Sequence, residues 1–335
     1  MNLSYQKMVD LASSGLQAAG IGQKAAHETA QFLALAELDG LASHGLARVS
    51  QYAGHAKNGR IELSPKIKVR PFKTSAALVD ACDGLAFPAL RFATDLSVNL
   101  ASKTGVGLVA VTNSHHFGVA GHFAEAAARA GYISLLFGNT PAAMPMVGGS
   151  KALFGTNPLA AAFPVANRDP MVIDMSLSAV ARGKLLVAAK KGESIPEGWA
   201  LTAEGKPTTD PNEGLKGLMV PLGGDKGALL ALIVELLVVG LSGSRFSYEA
   251  DSFFDAKGNR PRIGQLLLTI DPGLAGSQMF ASKMQEFLKI LASDSGTRVP
   301  GQRRFKQRAS GFQEGINVSD VLVEEIQTGI SQSWS

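Results

Sequence analysis

The sequence predicts an α/β protein in which helices from both ends of the chain pack around a central sheet domain. Three observations carry that expectation. Short apolar runs such as Val106–Val111 alternate with helical stretches through the middle of the chain. Residues 4–57, and again the chain from about Ser277 onward, have the texture of helices. Of 335 residues, 46% are hydrophobic and 18% charged, which permits a large core and argues against global disorder. The length suits two domains or one large one.

The elements follow in order. Ser4 is placed to cap a first helix carrying Met8, Leu11 and Leu16, and Gly20 and Gly22 punctuate its end. A second helix runs from about Lys24 to Leu38, and Asp39-Gly40 breaks it. Pro65 and Pro71 bracket an extended linker. Ala76–Ala81 reads as a strand, about Pro88–Lys103 as a helix, and the unbroken apolar run Val106–Val111 as a buried strand. A helix from about Ala120 to Ala130 and strands at Ile133–Phe137, Met171–Ile173 and Leu266–Ile270 complete the pattern. Such alternation, taken alone, favours βαβ units and a parallel sheet.

Composition removes several classes of function. The net charge of +4 is small for this length, and no Lys/Arg block with interleaved aromatics suggests a nucleic-acid groove. Cys82 is the single cysteine, so an intramolecular disulfide is impossible and a reducing compartment is expected. Lys7 and Asp10 interrupt the N-terminal apolar pattern, which is unlike a signal peptide. The most apolar segment, Ala228 to Leu241, is too short to span a bilayer and contains Glu235. The expectation is a soluble, cytoplasmic protein without a membrane partner.

Six stretches can carry chemistry. Ser43-His44-Gly45-Leu46-Ala47-Arg48 puts a hydroxyl, an imidazole and a guanidinium within six residues. A helix extended through it would set His44 and Arg48 on one face, a titratable group beside a carboxylate receptor. Ser114-His115-His116-Phe117-Gly118 follows a strand and precedes a helix, where free backbone N–H groups suit a phosphate. These histidines with His122 lack the spacing of a metal motif, so no metal is expected. Leu153–Pro158 offers Thr156 in a loop, and Asp174-Met175-Ser176 follows a strand, placing a carboxylate for ribose hydroxyls or a helix cap. Gly223-Gly224-Asp225-Lys226-Gly227 opens the Leu-rich helix and matches neither a Rossmann fingerprint nor a Walker loop. The one dense basic stretch is Arg303-Arg304-Phe305-Lys306-Gln307-Arg308, a solvated helix face or a phosphate site.

Together, in this order, SHGLAR, SHHFGVAG, LFGTNP, DMSLSAVARGK and GGDKG resemble the malate/L-lactate dehydrogenase (type 2) family of NAD(P)-dependent oxidoreductases. The resemblance spans nearly the whole chain. Residues 79–84, the run GGDKGALLALIVELL with GLSGSRFSYE, and Pro300–Phe305 look closest to Δ1-piperideine-2-carboxylate/Δ1-pyrroline-2-carboxylate reductases.

The resemblance implies a helical domain formed by residues 1–72 and 278–335. Residues 73–277 would form a non-Rossmann NADPH-binding and substrate domain with a largely antiparallel sheet. It implies a homodimer and a catalytic set of Ser43, His44 and Lys184, with Arg48 and Thr156 on the substrate. It assigns His116, Phe117, Gly118, Val119, Ala120, Asp174, Met175, Ser176, Asp225, Lys226, Arg303 and Arg304 to the dinucleotide. The imine reductases carry an Asp at the position of Lys184, where it completes the relay; Lys184 resembles the oxoacid dehydrogenases instead. The expected activity is NADPH-dependent reduction of cyclic imino acids to L-proline or L-pipecolate, with NADH as the weaker cofactor. The alternative is a malate/L-lactate-type 2-hydroxy acid dehydrogenase.

Overall fold

The computed structural model describes residues 1–276 and 279–334. The expected helix start at Ser277 and the expected domain boundary at 277/278 lie outside the described residues. A seven-stranded sheet runs through the centre of the fold. Its strands are β1 (Lys68–Lys73), β2 (Ala76–Asp80), β3 (Val106–Ser114), β4 (Ile133–Gly138), β5 (Leu159–Phe163), β6 (Met171–Met175) and β7 (Ile263–Ile270), in the order β1-β2-β3-β7-β4-β5-β6.

The sheet is largely antiparallel, which corrects the parallel arrangement that the alternation of elements suggested. Only β2 and β3, joined through a crossover helix, run parallel. β7 returns late in the chain and inserts between β3 and β4, antiparallel to both. The apolar run of β3 arises because both faces of the sheet are covered. Val109 and Val111 enter one core, while Leu108 and Ala110 pack into or against the other.

The first core joins one sheet face to helices from both termini. These are α1 (Tyr5–Ala18), α2 (Gln23–Leu38), α3 (Arg48–Lys57), α4 (Ala86–Thr104) and α5 (Ala120–Arg129), with α10 (Gln302–Glu314) and α11 (Asp320–Ser331). Leu16, Leu33, Val109, Leu267 and Ile326 are completely buried there, each contributing roughly 1.5–3 kcal/mol. Gly107 lets α4 approach the sheet, since a Cβ there would lie 2.0 Å from the Ser97 carbonyl oxygen. The ends of the chain are stitched together. Residues 2–3 pair antiparallel with 316–317, and Trp334 Nε1 donates to the Gly15 carbonyl at 2.8 Å.

The second core covers the opposite face with α8 (Asp225–Ser242), helped by α6 (Arg182–Lys191) and α7 (Pro211–Lys216). Ala231, Val234 and Val238 of α8 point inward. Glu235, 3% exposed, also points inward and accepts from Ser247 N, Ser247 Oγ and Asn157 Nδ2 at 2.7–2.8 Å. A final helix, α9 (Phe280–Ser293), packs with Val165 in a small satellite cluster.

One local expectation fails. SHGLAR is not continuous helix: Ala42–His44 form a single 3-10 turn and α3 starts at Arg48. Gly45 is the reason. Its backbone leaves the helical region at φ −97°, ψ −138°, and a Cβ would lie 2.2 Å from Glu37 Oε1. Glu37 instead accepts the Leu46 N–H at 2.8 Å, which pins the turn to α2.

Candidate active site

A cleft of about 870 Å³ opens where the α2–α3 connection faces loops at the carboxyl ends of β3, β4 and β6. That volume is in the range of small-molecule and cofactor sites. Ser43, His44 and Arg48 line one side. His116–Ala120, Thr140, Thr156 and Asp174–Ser176 line it from the sheet, and Arg182 and the loop 252–254 face the same space. The three-dimensional fold thus gathers residues from five of the six stretches singled out in the sequence, all but Gly223–Gly227.

His44 has a defined orientation. Ser43 Oγ lies 2.9 Å from its Nδ1, and among the described residues Nε2 has no hydrogen-bond partner. Burial, with the charges of Arg48 and nearby His122, pushes the His44 pKa down to about 4. The imidazole is therefore neutral near pH 7. His116 stacks beside it, with ring centroids 5.8 Å apart. Its Nδ1 takes the Tyr52 hydroxyl at 2.6 Å and the Gly118 N–H at 3.4 Å. Burial first, then Arg48, holds the His116 pKa far below the ordinary value.

Arg48 reaches the cleft from the first turn of α3. Its Nε donates to the Ser43 carbonyl at 2.7 Å and its Nη1 to Gln51 Oε1. Gln51 in turn donates to the Phe253 carbonyl at 2.6 Å, tying this turn to the loop across the cleft. Thr140 and Thr156 meet through the Thr156 N–H, 3.0 Å from Thr140 Oγ1. Beneath them Asn157 donates to Glu235, so the buried carboxylate of α8 fixes the cleft floor.

The dinucleotide assignments divide. Residues 116–120 lead into α5, and Gly118, at φ +66°, turns the chain there. Asp174 accepts the Gly121 N–H at 2.7 Å while bordering the cleft; burial raises its pKa against the pull of that N–H and Arg304. Arg303 lines the cleft, exposed and without an ion pair among the described residues. A diphosphate-bearing cofactor fits this wall, which offers the Arg303 cation, the start of α5 with its positive dipole end, and a carboxylate for hydroxyls.

Arg304 does not stand free. Its Nη2 bonds Glu125 Oε2 at 2.8 Å, and its Nε lies 3.2 Å from Asp39 Oδ2 without hydrogen-bond geometry. Arg308 completes the cluster with bonds of 2.6–3.0 Å to both carboxylates, and His122 Nε2 lies 2.8 Å from Asp39 Oδ2.

Three assigned residues lie outside the cleft. Lys184 is exposed on the outer side of α6, its Nζ 5.5 Å from the centre of the Trp199 ring. Arg182, two residues earlier, lines the cleft, whereas Lys184 does not. Asp225 and Lys226 are exposed at the start of α8 and do not line the cleft. Conversely, Arg182, Phe254 and Arg298 line the cleft although none of the sequence motifs marks them as site residues. Arg182 and Phe254 are far apart in the chain, so no local pattern announces the pair.

Comparison with known proteins agrees with this geometry. A family model described as malate/L-lactate dehydrogenase matches residues 3–327. The chain is 43% identical over 325 residues to a (2R)-3-sulfolactate dehydrogenase (NADP(+)) of Chromohalobacter salexigens, covering 97% of each chain. It is 35% identical over 321 residues to a Δ1-pyrroline-2-carboxylate/Δ1-piperideine-2-carboxylate reductase of Pseudomonas putida, covering 96% of this chain and 94% of the other. The crystal structure of the Δ1-piperideine-2-carboxylate reductase of Pseudomonas syringae superposes with a TM-score of 0.93 at 34% identity, over 98% of this chain and 99% of the other. The chain belongs to the malate/L-lactate dehydrogenase family of oxidoreductases.

Proposed function

We propose that the chain interconverts a 2-hydroxy acid and its 2-oxo acid using NADP(H). The carrying observation is the neutral His44, its Nδ1 on Ser43 and its Nε2 unpartnered beside Arg48. When bound, the nicotinamide supplies hydride transfer to and from the substrate carbon. Arg48 holds the substrate carboxylate. His44 Nε2 accepts the hydroxyl proton in oxidation and returns it in reduction, while Ser43 keeps the ring aligned. Burial is the main cause of the depressed His44 pKa, and a carboxylate on Arg48 offsets the smaller contribution of that charge. Residues 116–120, Asp174, Met175, Ser176, Arg303 and Arg298 would hold the dinucleotide, and the cations favour NADPH over NADH.

Cyclic imino acid reduction is the second reading. The relatives from the two Pseudomonas species support it. The outward Lys184 weighs against it, because the residue that would complete an imine-reductase relay is replaced and turned away. The first relative named above, a sulfolactate dehydrogenase, favours the hydroxy acid.

A homodimer also fits. Among the described residues, α8 exposes Leu229, Ile233, Leu236, Leu237 and Leu241, between 38% and 54% accessible, although its other face is core. A helix apolar on all sides is normally covered. A second copy over α8 would bury this stripe and could bring Asp225 and Lys226 to a neighbouring cleft; light scattering tests it.

The deciding experiment measures NADP(H) absorbance with lactate, malate and sulfolactate, their 2-oxo acids, and Δ1-piperideine-2-carboxylate. Turnover should be confined to the hydroxy and oxo acids, and His44→Ala should lower it about a hundredfold to ten-thousandfold without weakening NADPH binding. Turnover of the imine alone would reverse the order of the two readings.

A further inference from the structure

Arg182 is the most unusual cation in the cleft. It opens α6, lines the cleft, and packs its guanidinium carbon 5.1 Å from the centre of the Phe254 ring. Its Nη2 donates to the Leu215 carbonyl at 2.7 Å, which fixes the side chain. Its Nε is buried and has no hydrogen-bond partner among the described residues. It forms no ion pair among the described residues; Asp255 influences it only from a distance. A desolvated guanidinium with an orphaned N–H is costly unless an anion completes it.

Arg48 lies against the same ring, 5.9 Å from its centre, and also lacks an ion pair among the described residues. Phe254 therefore serves as a shared platform for two unpaired guanidinium groups in one cleft. One carboxylate needs only one such fork. Two forks near one aromatic ring match a short acid with an anion at each end.

We infer that Arg182 is a specificity-determining residue that receives a second anionic group, carboxylate or sulfonate, at the end of the substrate remote from the Arg48-bound carboxylate. The inference rests on the hydroxy acid reading for its substrate skeleton. The second anion gains charge-assisted bonds only when it is present, so substrates lacking it leave the Arg182 guanidinium without a counter-anion. Discrimination against monoanions then comes from the unmet donor as much as from the missing attraction. The two dianion chemistries are separable, since a sulfonate is tetrahedral and presents three oxygens where a carboxylate presents two.

The test uses the intact chain in the presence of NADP⁺. Titration calorimetry compares succinate, a dianion that cannot be oxidised at a hydroxyl, with butyrate, a monoanion of the same chain length. Wild type should bind the dianion tighter by about ten- to a hundredfold, and Arg182→Met should remove most of that margin while leaving monoanion binding within about threefold. Arg182→Lys keeps the charge and should retain part of the margin, which guards against a variant that merely misfolds. Kinetics with lactate, malate and sulfolactate then say which dianion is used. Equal binding of dianion and monoanion by wild type, or equal losses for both in Arg182→Met, overturns the assignment. If no hydroxy acid is turned over while the dianion margin persists and depends on Arg182, the hydroxy acid reading fails and the second anion site stands.

Discussion

Two groups of arginines, one on and behind the cleft wall and one facing into the cleft, do opposite work. Arg304 and Arg308 are ion-paired: Asp39 and Glu125, with side chains 0% and 5% accessible, supply their counter-charges and join α2, α5 and α10, although Arg304 Nε makes no hydrogen bond among the described residues. Arg48 and Arg182 face an aromatic ring and have no carboxylate partner among the described residues. The chemistry of the side chain is the same in both places. What differs is whether the fold supplies the anion or leaves it to a ligand. A paired guanidinium is part of the architecture; an unpaired, desolvated one is a receptor.

The largest effect should come from breaking the ion-paired group. Arg308→Met leaves two buried carboxylates short of their main partner. Losing one side of such a buried pair typically costs about 3–5 kcal/mol. Chemical denaturation should show a midpoint lowered accordingly, with an unchanged denaturant slope. A loss under about 1 kcal/mol would place the network among ion pairs that merely break even.

The receptor group should respond in activity instead. Arg48→Lys keeps the charge but loses the planar fork, at a cost of about 1.5–3 kcal/mol in transition-state binding, or about ten- to a hundredfold in kcat/KM. Unfolding midpoint and NADPH affinity should hardly move. An equal loss of stability would show that Arg48 serves the turn through Ser43 and Gln51 more than the substrate.

Acid should separate the regions again. Burial first, then Arg60, pushes the His55 pKa down to about 4 from 6.5. The unfolded chain thus binds the proton more readily. The stability is complete above about pH 6.5 and is lost as the pH falls toward 4, by up to about 1.4 kcal/mol per pH unit. Asp39 and Glu125 are depressed by Arg308 despite the opposing effect of burial, so they add stability above the carboxylate range and lose it at still lower pH. Denaturation midpoints at pH 7, 6 and 5 should decline, and His55→Gln should flatten the slope. An identical slope in the variant would move the acid-sensitive group elsewhere.

The sequence disclosed the parts of this site that are local. Ser43, His44 and Arg48 sit within six residues, and residues 116–120 follow a strand whose apolar run is unmistakable. It did not disclose partnerships across the chain. Arg304 read as free because Asp39 and Glu125 are remote in sequence, and Arg182 read as ordinary because Phe254 is. The largely antiparallel sheet was legible only through the family resemblance, because alternation of elements alone pointed to a parallel one, for a related reason. β7 enters between β3 and β4 from a point more than a hundred residues later, and alternation of neighbours carries no trace of that insertion. Gly45 was overlooked as a helix breaker because the contact that demands it, Glu37, lies on the preceding helix.

The smallest effect tests whether the cations at the cleft edge belong with the receptors. Arg303 and Arg298 line the cleft, are exposed, and form no ion pair among the described residues. An adenosine 2′-phosphate there would gain charge-assisted bonds, but solvent screening cuts each to roughly 1 kcal/mol. Arg303→Ala should therefore raise the KM for NADPH by only about three- to tenfold, leave the KM for NADH unchanged, and make the NADPH value less sensitive to added salt. The ratio of the two cofactors carries the information, because only NADPH has the extra phosphate. A parallel rise for both would place Arg303 on the diphosphate that they share. No change for either would assign the phosphate to Arg298, or leave Arg303 on the solvated face that its helix also presents.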